Sequence, residues 1–290
     1  MEISLSVDLI ATCWTTAGAC EPLSSDDRSP LPIRQRVEAA SEAGFRGFGI
    51  RHGDLREVEE TLGFSAFRRM LDDHGMVHVE LEFLGGWSSD DPEVRSASAV
   101  LRADLLRAAE ALGARHIKVG GVLAAEGGTL DTDRVATRFA RLAEDAAQAG
   151  TMVGLEPMPF FEIRTPQIAQ EIVEKADHPS GGLFLDVWHV ARAGVDYEDI
   201  AALSARQIIG VELDDASQYI AGTLWEDTHN ARLFPGEGDL NVTSFVSAVK
   251  STGYTGPFGI EMLSSDFRKL PLAEAVQRAY STTRSVTTSA

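Results

Sequence analysis

Short apolar runs alternate along the chain with longer stretches whose apolar residues recur every three or four positions. The short runs read as β-strands and the longer ones as amphipathic helices. The pattern predicts strands at Ile3–Val7, Phe45–Ile50, Val77–Phe83, His116–Val119, Met152–Glu156, Leu183–Val187, Ile208–Leu213 and Phe258–Met262. Between them it predicts helices at Ile33–Ala43, Leu55–His74, Glu93–Leu112, Asp133–Ala149, Pro166–Lys175, Tyr197–Ala205, Val242–Ser251 and Leu272–Thr282. Several helices stop at a glycine suited to a left-handed cap, as at Ala43-Gly44, His74-Gly75, Leu112-Gly113, Ala149-Gly150 and Thr252-Gly253. Each next strand starts within a few residues, the short turn of a repeated βα unit.

Strict alternation of eight strands and eight helices implies a parallel sheet. The count of eight, with no GxGxxG fingerprint, favours a closed (β/α)8 TIM barrel over an open doubly wound sheet. No linker or shift in composition divides residues 1–290, so one α/β domain is expected. The longest irregular stretch, Asp214–Asp239, follows the seventh strand on the face where such barrels build active sites, and it suits a lid or substrate loop.

Four predicted strands end in a carboxylate: Glu156 in TMVGLEPMP, Asp186 in GLFLDVWH, Glu212 in IIGVELDD and Glu261 in PFGIEML. Any one of them could cap the next helix or bind an arginine. Four on consecutive strands converge on one mouth, and their mutual repulsion calls for a cation. All-oxygen donors suit a hard divalent ion, Mn²⁺ foremost with Mg²⁺ or Co²⁺ as alternatives, over zinc in a site rich in His or Cys.

Composition narrows the partners. The chain carries 26 basic and 44 acidic residues, a net charge of −18, with 44% hydrophobic residues, enough for a full core. Such a charge argues against nucleic acid or an anionic membrane and leaves a small substrate held by a few local cations. Two cysteines, Cys13 and Cys20, are too few for a stapled secreted fold and read as free thiols in a reducing cytoplasm. The N-terminus MEISLSVDLIATC lacks a basic leader, no run matches a membrane span, and the polar tail STTRSVTTSA reads as frayed.

The order LDVWHVARAG, PGEGDLN and GPFGIEM resembles the sugar phosphate isomerase/epimerase superfamily, the xylose-isomerase-like TIM barrels. The resemblance covers almost the whole chain and is strongest from Met152 to Met262. It implies one divalent metal on Glu156, Asp186, Glu212 and Glu261, and substrate contact by His189. One departure stands out. Many members carry an H-x-K-D segment at the seventh strand, where this chain has Glu212-Leu213-Asp214-Asp215. The resemblance also implies that Glu156 and Glu261 shuttle a proton between opposite faces of a bound sugar, with homo-oligomerisation as a further family trait.

Other polar residues are candidates. Lys118, at the end of the fourth strand, suits a salt bridge to a ring carboxylate or substrate contact equally. Glu80 and Glu82 point to one side of the third strand, where at least one could reach the pocket, although an ion pair with Arg51 or Lys118 is the default. His52 could line the rim. Arg232 and His229 could close over substrate, although a solvated loop charge is more common. Trp14, Trp87, Trp188 and Trp225 suit either an aromatic wall against a sugar face or loop packing. Gly120-Gly121 and Gly127-Gly128 are weak phosphate-loop signals.

The reading that follows is a metal-dependent isomerase or epimerase of a ketose or related polyol, which moves a proton next to the carbonyl. The alternative is a dehydratase or lyase of a keto-sugar, keto-cyclitol or 3-keto-glycoside. A DNA-repair enzyme would need more histidines and a basic face, and a non-catalytic subunit has no use for four buried acids.

Overall fold

Eight strands form one closed parallel barrel, with each strand hydrogen-bonded to the next and the eighth to the first. In this computed structural model residues 7–22, 26, 28–125 and 129–290 are described. The strands are β1 (Leu9–Ala11), β2 (Gly47–Arg51), β3 (His78–Leu84), β4 (His116–Gly120), β5 (Met152–Glu156), β6 (Gly181–Asp186), β7 (Ile208–Leu213) and β8 (Phe258–Ile260). The expected first strand, Ile3–Val7, lies outside the described residues except for Val7, and the strand starts at Leu9. Helices cover the outside, and the apolar residues between helices and strands make one continuous core.

Most helices fall where the periodicity puts them, with Ile33–Ala43 and Val242–Ser251 matching end to end. The long helix expected over Leu55–His74 is two, His52–Thr61 and Phe64–Asp73, because Gly63 adopts φ +78° and breaks the ladder. The tail is not frayed. Its helix runs from Leu272 to Ser289, since Thr283, Val286 and Thr287 are buried and Lys250 Nζ donates to the Thr287 carbonyl at 2.6 Å. The loop after β7 is less irregular than its composition suggests. A capping box between Thr223 and Glu226 starts a helix at Leu224–Asn230.

Two features of the barrel interior set the height of the mouth. Phe184 fills the barrel beneath it, and a Cβ on Gly210 would fall 2.3 Å from the Phe184 ring. Gly259 lies opposite Glu212 in the β7–β8 register, and a Cβ there would sit 2.9 Å from Glu212 Cγ. Glycine at these positions leaves room for one large ring below and a carboxylate above.

Candidate active site

The mouth at the carboxyl ends of the strands holds a cavity of about 150 Å³. Glu82, Lys118, Glu156, His189, Arg232 and Glu261 supply much of its polar lining, with Arg51, Thr228 and His229 beside them. Trp14, Phe83, Met158, Phe160, Phe161 and Trp225 supply much of its apolar wall. Each acid arrives where its strand stops. Glu156 ends β5, Asp186 ends β6 and also caps the following turn through the His189 amide at 2.9 Å, Glu212 lies within β7, and Glu261 follows β8 directly. All four are buried.

Two side-chain cations sit among them. Lys118 Nζ lies 2.9 and 2.8 Å from the two oxygens of Glu212, 2.7 Å from Glu261 and 3.1 Å from Glu82. Of the two roles open to it in the sequence, the salt bridge is the one made, and the residue still lines the cavity. Arg232 is not a solvated loop charge. It is fully buried, with Nη1 2.7 Å from Asp186, 3.2 Å from Glu261 and in contact with Asp214. Its Nε and Nη2 donate to Thr228, and its guanidinium lies over Trp188. A buried guanidinium is tolerated because each of its three nitrogens donates to an acceptor.

Asp215 holds the segment carrying Arg232 in place. Its carboxylate accepts from the amides of Ala216, Gly236 and Leu240 at 2.8, 3.0 and 3.0 Å, and its backbone pairs with Leu233 in both directions. The Asp-Asp pair after β7 thus has two jobs. Asp214 meets the guanidinium, and Asp215 ties down the turn beyond it.

Glu156 stands apart. Both of its carboxylate oxygens are buried without a hydrogen-bond partner, and His189 Nε2 approaches only to 3.8 Å. Burial drives its carboxyl well above the ordinary range. Lys118 pulls it back in part, while Glu261 and Asp186 push it further up. Burial likewise drives His189 well below the usual imidazole range, aided by Arg232, so its ring is neutral. Lys118 stays charged. Burial opposes its ammonium, but Glu212, Glu261 and Glu82 together outweigh burial and hold it well above the lysine range.

The other candidates sort themselves. Glu82 belongs to the mouth, where it also accepts from the Cys13 amide at 3.1 Å, whereas Glu80 pairs with His116 at 2.8 Å lower in the barrel rather than with Arg51 or Lys118. His52 does not line the cavity. It opens the helix after β2 and meets Asp104 at 3.0 Å, because the chain turns outward at that point. Trp14 lines the cavity with Arg51 stacked 4.4 Å from its ring. Trp225 lines it too, meeting His229 at 4.6 Å and Phe160 at 5.1 Å edge to face. Trp188 is packed underneath with its N–H on Asp227, and Trp87 packs on Phe139. Gly120 is a packing glycine, since a Cβ there would lie 2.4 Å from the Phe83 ring, and Gly127-Gly128 falls outside the described residues. Phe160 and Phe161 were missed by the sequence reading, although the run PMPFF after the fifth strand carries the signal.

Among the described residues, three groups of side chains bring ligand atoms within 4.8 Å of one another: Glu156, Asp186 and His189; Asp186, Glu212 and Glu261; and, in part below them, Glu80, Glu82 and Glu212. The unpartnered oxygens of Glu156 and this compactness suggest a divalent cation, and the donor chemistry fits one.

A closed eight-stranded barrel with an acidic mouth places the chain in the xylose isomerase-like TIM barrel family, to which it belongs, the family model matching residues 37–285. A 3-dehydroshikimate dehydratase of Pseudomonas aeruginosa is 27% identical over 243 residues, which cover 82% of this chain and 37% of that protein. An inosose isomerase of Halalkalibacterium halodurans is 31% identical over 144 residues, 49% of this chain and 50% of that one. The aligned part is thus about half or less of each of these relatives. A solved IolI protein, described with a bound zinc atom, superposes with a TM-score of 0.84 at 20% identity, covering 97% of this chain and 98% of that one. No helix among the described residues is long and apolar enough to cross a membrane.

Proposed function

We propose that this chain removes a proton next to the carbonyl of a small polyhydroxylated ketone and completes the reaction as an isomerisation or epimerisation. The observation that carries this reading is Glu156, a buried carboxylate with two free oxygens facing a site that also holds two fixed cations. A carbon acid is weak, so its base must be raised in pKa and the negative charge that develops on the substrate oxygen must meet a prearranged positive field. Burial supplies the first condition at Glu156. Lys118 and Arg232 supply the second.

In this reading Glu156 takes the proton and Glu261, which also lines the cavity, returns one from its own side. Lys118 and Arg232 hold Glu261 by its two oxygens, so its position is fixed when the substrate arrives. Phe160, Phe161 and Trp225 exclude water and offer a flat face to a sugar or cyclitol ring. A divalent ion, manganese by preference of a carboxylate-rich donor set, would be held from Glu156 and Asp186. When bound, it would polarise the ketone oxygen and orient the neighbouring hydroxyl. The bound zinc atom described for the IolI protein supports a divalent metal in a barrel of this fold without choosing which one.

A second reading has its own support. The relative aligned over 82% of this chain is a dehydratase. The same proton removal beside a ketone, followed by loss of a β-hydroxyl as water, gives an unsaturated ketone. Incubation with 3-dehydroshikimate, inososes and ketoses separates the readings. Isomerised product carrying solvent deuterium supports the first, and a new ultraviolet-absorbing product supports the second. Neither kind of product from any member of the panel, with and without Mn²⁺, would remove both.

A further inference from the structure

We infer that the acidic mouth divides its carboxylates between two cations: Lys118 is the permanent partner of Glu82, Glu212 and Glu261, and a divalent ion taken up by this chain sits on Glu156, Asp186 and His189. The inference rests on the proposed reading of this mouth as the active site and refines where its ion lies. It departs from an even ring of four acids.

Two independent observations lead to it. The first is saturation. Both oxygens of Glu212 are met by Lys118 Nζ at 2.9 and 2.8 Å, and Glu261 is met by Lys118 on one oxygen and by Arg232 on the other. The ammonium is nearly inaccessible and its residue is fixed in the middle of a barrel strand, so an ion entering between Glu212 and Glu261 would have to expel a buried charge that has nowhere polar to go.

The second is vacancy of partners. Glu156 Oε1 and Oε2 and His189 Nδ1 are buried without any hydrogen-bond partner. Glu156, Asp186 and His189 each offer a ligand atom within 4.8 Å of the others. Glu156 and His189 bring unpartnered atoms, and Asp186, whose oxygens accept from the His189 amide and Arg232, brings a third donor beside them, so that the site leaves positions for substrate oxygens. Imidazole beside carboxylates accepts Mn²⁺, Co²⁺ or Zn²⁺.

The purified full chain, stripped and titrated with Mn²⁺ alone, tests this. One ion per chain is expected, and pulsed electron paramagnetic resonance should show ¹⁴N modulation from a directly bound imidazole. H189Q should abolish that modulation and weaken Mn²⁺ at least tenfold, while E212Q should change the affinity less than threefold. A bound Mn²⁺ with no nitrogen modulation, lost on E212Q and indifferent to H189Q, would overturn the division and restore the four-acid ring. No uptake of Mn²⁺, Co²⁺ or Zn²⁺ would overturn the ion site. The nitrogen signal of the unmodified protein decides the matter if a variant fails to fold. Deuterium exchange into a ketone, measured separately, reports on the proposed function and can succeed or fail on its own.

Discussion

Lys118 on β4 reaches across the barrel to Glu212 on β7, and its Nζ lies within 2.9 Å of both carboxylate oxygens. A buried ammonium so placed is tolerable only while the acids remain, and the acids only while it remains. Lys118→Met therefore leaves uncompensated charge and should destabilise the fold by about 3–5 kcal/mol. Lys118→Met combined with Glu212→Leu should recover part of that loss, with a coupling energy of about 1–3 kcal/mol in a urea-denaturation cycle. Strict additivity would show that the pair is not energetically coupled.

Glu156 behaves in the opposite way. Its folded pKa is raised above the value of 4.5 normal for a glutamate, so the folded state holds the proton more tightly than the unfolded state. Stability is unaffected below that normal value and falls as pH rises through the window up to the folded pKa. Glu156→Gln removes this loss. The metal-free variant should melt higher than the parent, with the gap widening from pH 4.5 upward, while turnover falls at least 100-fold. A gap that narrows with rising pH would contradict the assignment.

His189 carries the reverse sign on the acid side. Its pKa is depressed, so the unfolded chain takes up a proton below the normal value of 6.5 while the folded chain resists. Stability should fall as pH drops below 6.5, and His189→Gln should flatten that part of the profile. Thermal melts of both proteins between pH 5 and 7.5 read this out.

The aromatic wall should act on binding more than on chemistry. Phe160 and Trp225 touch edge to face at 5.1 Å beside the cavity. Trp225→Ala removes one face and should raise KM about tenfold, with kcat nearly unchanged, which corresponds to about 1.4 kcal/mol of uniform binding. A drop confined to kcat would place Trp225 in the chemistry instead.

Much of this was legible beforehand. The alternation of strand and helix, the barrel closure and the burial of Glu156, Asp186, Glu212 and Glu261 follow from local periodicity and from where each apolar run ends. What was not legible is pairing across the barrel. Nothing adjacent to Arg232 in the sequence marks it as buried, because its acids lie at least 18 residues away, on β6, just after β7 and just after β8. His52 and Glu80 failed similarly. Their positions along the strand were right, but the direction of the chain after β2 and the depth of Glu80 beside His116 depend on three-dimensional register. The helical tail was missed because its stability comes from packing, as with buried Thr283 and Thr287, and not from the weak propensities of Thr and Ser.

In the proposed function this mouth moves a proton on and off carbon. The most direct test is proton NMR of a panel of polyhydroxylated ketones in D₂O with the purified chain, with and without Mn²⁺. Loss of a single α-proton signal from at least one ketone is expected, at a rate that falls at least 100-fold in Glu156→Gln. Exchange that persists unchanged in Glu156→Gln, or no exchange with any ketone under either condition, would contradict it.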